Sequence, residues 1–419
     1  MSEVILSPSR LHGTVQVPPS KSAAHRAILC AALSRGTCRI QNIILSDDMR
    51  ATIGAIRAMG VSARLEDKTL FLDATKGFSP HAEINCLESG STLRFLIPIL
   101  GALGISSRLT GCGRLPQRPI GVYLDCLPPH GLSCLTEGGL PLALSGRLQA
   151  GEYRLPGNIS SQFITGLLLA LPLLPQDSQL TLSSPLESSG YVDMTLSIMR
   201  DFGVNIHSTA DGWHIPGGQC YTPRSYEIEG DWSQAAFFLA AGTLGGSVAI
   251  QGLRPDSCQG DRAALHCFRE FGAQIAWENG LLTANAGDLH GIEIDAAQIP
   301  DLVPILASTA ALSAGTTRIF HAERLRIKES DRLAAMCDGL NRLGGKATET
   351  EDGLSITGVP RLTGGRANGY NDHRIVMALS IAALCANAQV TLTDAQSIQK
   401  SYPQFFDDYQ MLGGVANVL

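Results

Sequence analysis

Several short runs in this 419-residue chain bring cations, hydroxyls and carboxylates close enough together to hold anions. Pro19-Ser20-Lys21-Ser22 is followed by Arg26, giving two cations and two hydroxyls across the start of an Ala/Leu-rich stretch. Ser89-Gly90-Ser91-Thr92-Leu93-Arg94 combines hydroxyls with a glycine that lets a ligand approach the backbone. Arg118-Pro119-Ile120-Gly121, Ser160-Ser161-Gln162, Asp301 after Ile299-Pro300, Lys328-Glu329-Ser330-Asp331-Arg332 and Asn371-Asp372-His373-Arg374 follow, with Lys400 near the end. An arginine fork matches carboxylate or phosphate through two parallel bonds, whereas lysine acts as a compact charge. The chemistry these runs suggest is recognition of small molecules carrying phosphate and carboxylate.

Taken singly, each run has an ordinary explanation. A Ser or Asp ahead of a helix usually caps it, and the residues from Lys328 to Arg332 could be a solvated helix face with i,i+4 pairs. Ser233, in Gly230-Asp231-Trp232-Ser233, brings no cation and reads as a cap. Cys112 has no evident base beside it and reads as a passive thiol. His25 and His373 stay open between structural polar groups and acid/base groups. What sets the runs apart is register, because they recur at matching places in an internal repeat of about seventy residues.

Six segments, beginning at Ser22, Ser91, Ser161, Ser233, Asp301 and His373, are apolar nearly all round, which predicts buried helices. A short β-type run follows each, such as Thr37-Cys38-Arg39-Ile40 and Val390-Thr391-Leu392-Thr393. A more amphipathic helical stretch then ends at Gly60, Gly131, Gly203, Gly272, Gly344 or Gly413, as helices often do. A hairpin-like pair comes after five of these glycines. The sixth copy lacks one, and strands near Val4 and Val15 at the N-terminus are predicted to complete it. The chain then forms two three-unit domains, 19–227 and 1–18 plus 228–419. Three buried helices per domain would gather their N-terminal ends, where free N–H groups and the helix dipole attract anions.

Composition agrees. Hydrophobic residues make up 44% and charged residues 17%, enough for large cores and too apolar for a disordered chain. A net charge of −6 gives no bulk attraction to nucleic acid or membrane, so anion binding must be local. The 11 cysteines show no zinc or redox spacing and read as reduced thiols of a cytoplasmic protein. The N-terminus lacks the pattern of a signal peptide. The apolar run from Phe163 to Pro175 is too short to cross a bilayer.

The ordered set of runs resembles the EPSP synthase (3-phosphoshikimate 1-carboxyvinyltransferase) family over essentially the whole chain. The resemblance implies an α/β fold, a two-domain inside-out α/β barrel in which each domain is three βαβαββ repeats and the domains close on the substrates. It implies transfer of the enolpyruvyl group of phosphoenolpyruvate to the 5-hydroxyl of shikimate 3-phosphate, with release of phosphate. On that resemblance, Lys21, Ser22, Arg26, Ser160, Ser161, Gln162, Ser188, Asp301 and Lys328 meet shikimate 3-phosphate. Lys21, Gly90, Arg118, Gln162, Arg332, Arg374 and Lys400 meet phosphoenolpyruvate. Asp301 matches the base, Glu329 the proton donor, and Lys21 the third catalytic group. The family needs no metal or cofactor, and a monomer without nucleic-acid or membrane partners is expected. Room beside Gly90 implies sensitivity to glyphosate. Glu88, Phe95, Ser189-Gly190, Arg324 and Cys112 depart from common family residues. The alternatives are an enolpyruvyl transferase acting on UDP-N-acetylglucosamine, weakly favoured by Cys112, and an enzyme like RNA 3′-phosphate cyclase, opposed by the acidic balance.

Overall fold

A computed structural model describes residues 2–419 of the chain, and the same sheet is built in it six times. In the first repeat, helix Lys21–Leu33 leads into strand Thr37–Gln41, helix Asp47–Ala58 and the hairpin Ser62–Glu66 with Thr69–Asp73. Thr37–Gln41 alternates exposed and buried residues, so one face of its sheet packs on the helices and the other meets water. Thr37–Gln41 and Thr69–Asp73 pair antiparallel, and Ser225–Glu227 lies parallel along the opposite edge of Thr37–Gln41. The other five sheets share this plan of one parallel pair and two antiparallel pairs. The mixed α/β class expected from the sequence is the one found.

The glycine ending each second helix has φ between 83° and 103°, a region that strains any side chain. The chain turns there into its hairpin.

Two units divide the molecule: residues 19–229, and residues 1–18 with 230–419. In the first, helices Lys21–Leu33, Gly90–Leu103 and Ser161–Ala170 belong to one apolar core. In the second, Trp232–Thr243, Val303–Ala310 and His373–Ala383 are buried along their whole lengths. Helices apolar on every side fit only such interiors.

The two N-terminal strands depart from expectation. Glu3–Ser7 does complete the sixth repeat, pairing antiparallel with Val390–Thr393 and Val415–Val418. His12–Gln16, however, runs parallel to Ser247–Gln251 in the sheet of the fourth repeat. Hairpin partners adjacent in sequence and strand partners hundreds of residues away satisfy the same backbone groups, so local pattern does not distinguish them. Among the described residues no helix is long and apolar enough to cross a membrane. None of the eleven cysteines is joined in a disulfide.

Candidate functional site: two clusters at helix starts

In the unit of residues 1–18 and 230–419, three helix starts meet through Arg374, the second residue of helix His373–Ala383. Its Nη2 donates to Ser233 Oγ at 3.0 Å and to Asp301 Oδ2 at 3.1 Å, and its Nη1 donates to the Asp301 carbonyl at 2.9 Å. Ser233 is therefore more than a cap. Asp231 caps helix Trp232–Thr243, and Ser233 Oγ donates to it while accepting from Arg374. Asp301 lies two residues before helix Val303–Ala310, which has no side-chain cap, so its carboxylate is left for the cations.

Arg332 is the hub of this cluster, only 2% exposed. Its Nη1 donates to Asp301 Oδ1 at 3.1 Å, Nη2 to Glu329 Oε2 at 2.8 Å, and Nε to Asp372 Oδ2 at 2.8 Å. Lys328 Nζ lies 3.7 Å from Asp301 Oδ1. Lys400 donates to the Asn371 carbonyl at 2.6 Å, one residue from Asp372. Asp301, Lys328, Glu329, Arg332, Arg374 and Lys400 thus form one neighbourhood.

Its electrostatics follow from burial opposed by close charges. Burial would raise the Asp301 carboxyl, but Arg374, Lys328 and Arg332 together outweigh it and hold Asp301 well below the usual carboxylate range. Burial pushes the Lys328 ammonium down to about 8, against the pull of Asp301. Burial also works against the Arg332 charge, which Asp372, Glu329 and Asp301 more than restore.

The unit of residues 19–229 assembles its cluster in the same way. Ser20 caps helix Lys21–Leu33, and Lys21 Nζ pairs with Asp48 Oδ2 at 2.7 Å. Arg26 lies against the Phe95 ring, 5.1 Å from its centroid. It donates to the Ser22 carbonyl at 2.7 Å, Thr195 Oγ1 at 2.7 Å, the Tyr191 carbonyl at 3.0 Å and Thr165 Oγ1 at 3.3 Å. These bonds tie the Lys21 helix to helices Ser161–Ala170 and Ser189–Asp201. Ser188, just ahead of the latter, is buried in a left-handed conformation, and its carbonyl accepts from Tyr191 N at 3.1 Å.

Ser160 caps the Ser161 helix through Gln162 N at 3.3 Å. Gln162 Nε2 donates to Ser91 Oγ at 2.9 Å, and Gln162 Oε1 accepts from Arg94 Nη1 at 2.7 Å. Gly90 and Arg118 are in contact: a Cβ at Gly90 would stand 2.7 Å from Arg118 Nη1. The guanidinium expected to hold phosphoenolpyruvate thus fills the space beside Gly90, which is not left as open room.

His25 is fully buried, its Nδ1 2.7 Å from Thr52 Oγ1, and burial with the nearby Lys21 and Arg26 keeps it neutral. That is the place of a core histidine. Sequence reasoning passed over Asp372, Arg94 and Asp48. Asp372 and Arg94 stood in the quoted runs, and Asp48 lies outside all of them, in the acidic first turn of helix Asp47–Ala58.

The profile of the EPSP synthase (3-phosphoshikimate 1-carboxyvinyltransferase) family matches residues 5–409. A 3-phosphoshikimate 1-carboxyvinyltransferase of Clostridium kluyveri is 42% identical over 417 residues, covering 99% of this chain and 98% of that protein. A protein of the same name from Clostridium acetobutylicum is 44% identical over 421 residues, covering 99% of this chain and 98% of its own length. Among solved structures, an EPSP synthase of Acinetobacter baumannii superposes with a TM-score of 0.84 at 26% identity, over 100% of both chains. The enolpyruvyl transferase NikO of Streptomyces tendae shares the fold, with a TM-score of 0.80 at 20% identity over 100% of this chain and 98% of that one.

Proposed function

The chain belongs to the EPSP synthase family, and from that premise we propose how its two clusters carry out the family's reaction. The enzyme transfers the enolpyruvyl group of phosphoenolpyruvate to the 5-hydroxyl of shikimate 3-phosphate and releases phosphate. The observation that carries the residue roles is that one buried guanidinium, Arg332, binds both Asp301 and Glu329. Acid, base and an anion-binding cation therefore share one neighbourhood.

In the first step, Glu329 gives a proton to the methylene carbon of phosphoenolpyruvate, and the hydroxyl oxygen attacks the neighbouring carbon as its proton passes to Asp301. The product is a tetrahedral ketal. In the second step the C–O bond to phosphate breaks, the methyl returns a proton, and the vinyl ether forms. Both steps need positioned acid and base near neutral pH. In the unliganded protein Asp301 is held too firmly ionised to be a good base. The carboxylate and phosphate of phosphoenolpyruvate draw on Arg332 and Arg374, weaken their hold on Asp301 and raise its proton affinity when the base is needed.

Arg332, Arg374, Lys400, Arg118, Lys21 and Gln162, with Gly90 packed against Arg118, cradle phosphoenolpyruvate. Lys21, Ser22, Arg26, Ser160, Ser161, Gln162, Ser188, Asp301 and Lys328 hold shikimate 3-phosphate. Fixed, largely buried cations stabilise the charge that develops on transfer. Arg26 already spends four bonds on its own unit, which pre-orients its fork. The same reading makes the protein a cytoplasmic monomer that glyphosate inhibits in competition with phosphoenolpyruvate. Elution at dimer mass would contradict the first part, and absence of competition the second.

Proton NMR of a mixture of enzyme, phosphoenolpyruvate and shikimate 3-phosphate tests the reaction. The vinyl protons of an enolpyruvyl ether should appear as phosphoenolpyruvate is consumed, and consumption without them would refute it.

A further inference from the structure

We propose that Asp372 is a positioning residue for phosphoenolpyruvate: a buried carboxylate that fixes the plane of Arg332 and at the same time starts the helix carrying Arg374. The inference rests on the reading of Arg332 and Arg374 as phosphoenolpyruvate-binding cations.

Asp372 is 0% exposed. Its Oδ2 accepts from Arg332 Nε at 2.8 Å and Ser330 Oγ at 3.0 Å. Its Oδ1 accepts from Arg374 N at 2.9 Å and, more loosely, from Arg332 Nη2 at 3.4 Å. Four donors thus fill a carboxylate with about four acceptor sites. Grip on Nε and Nη2 seizes one edge of the guanidinium and sets its plane. Nη1 is then directed to Asp301, and Nη2, shared with Asp372, also reaches Glu329. A buried carboxylate is costly unless it is paired and hydrogen-bonded, and here both conditions are met. With Asp372 charged, the native protein holds Arg332 in one orientation before any substrate arrives. Affinity for an anion then owes little to ordering a flexible side chain.

A plain helix cap would need only the bond to Arg374 N. Asn at 372 can keep that bond through its own Oδ1, but it loses the charge and turns an NH2 group toward Arg332. Asp372→Asn therefore separates capping from positioning.

The test uses the full-length enzyme and phosphate-release kinetics with each substrate varied in turn, for wild type, Asp372→Asn, Ser330→Ala and Arg332→Lys. Positioning predicts that Asp372→Asn raises KM for phosphoenolpyruvate about tenfold or more, with KM for shikimate 3-phosphate changed less than about twofold. Arg332→Lys should move in the same direction, and Ser330→Ala should do so by about threefold. A folded Asp372→Asn enzyme with unchanged KM for phosphoenolpyruvate, or with both KM values rising together, overturns the proposal. If that variant does not fold, Ser330→Ala decides, and an unchanged KM for phosphoenolpyruvate overturns it. If Arg332→Lys alone leaves that KM unchanged, the reading of Arg332 is at fault and the inference falls with it.

Discussion

Asp301 stands ahead of a helix without capping it, and this separates the two readings that its sequence position allows. A capping aspartate spends its carboxylate on backbone N–H groups, as Asp231 does. Asp301 spends its own on Arg332, Arg374 and Lys328. Asp301→Ala and Glu329→Gln should each slow turnover by about two to four orders of magnitude without unfolding the protein. Steady-state phosphate release with circular dichroism checks this, and near-normal rates in both variants would remove the assigned roles. Lys328 carries a pH prediction. Its ammonium, pushed down to about 8, binds an anion only while protonated. The kcat/KM for shikimate 3-phosphate should therefore fall as pH rises through about 8, and Lys328→Arg should move that fall to higher pH. Stability moves the other way. Between about 8 and the ordinary 10.5 the unfolded chain binds more protons, so burying Lys328 costs less as pH rises through that window. Gly90→Ala would press a methyl on Arg118. It should raise KM for phosphoenolpyruvate more than KM for shikimate 3-phosphate, and equal change in both would count against contact between Arg118 and phosphoenolpyruvate.

Elements show where the sequence could be read and where it could not. The buried helices were legible because their residues are apolar on every side, and each second helix because it ends at a glycine of positive φ. His12–Gln16 was misplaced because the choice of a strand partner is made in three dimensions: Ser247–Gln251 offers it an edge more than two hundred residues away. Ser233, Asp372 and Arg94 were underestimated for a related reason. Cap, surface charge and binding residue look alike until the neighbours are known. Arg94 is a case to test. It holds Gln162 and the Pro119 carbonyl, and its guanidinium lies 4.8 Å from the Phe163 ring centroid. Arg94→Ala should free Gln162 and lower kcat/KM about tenfold or more, beyond any loss of folded protein, as measured by titrating active sites. Unchanged kcat/KM per folded molecule would show that Gln162 needs no such support.

At the scale of the molecule, a net charge of −6 coexists with clusters built to attract anions. Local placement of Lys, Arg and helix N-termini can outweigh the bulk balance, because interactions between exposed charges beyond about 8 Å are largely screened at physiological salt. The acidic balance weighs against nucleic acid as the natural reading, but only the ordered runs and their register pointed to the substrates. The acceptor is the central claim. Phosphate release from phosphoenolpyruvate should be measured with shikimate 3-phosphate or UDP-N-acetylglucosamine as the sole acceptor. Rapid, saturable release with shikimate 3-phosphate and none above background with the sugar nucleotide is the predicted result; the reverse would contradict the account.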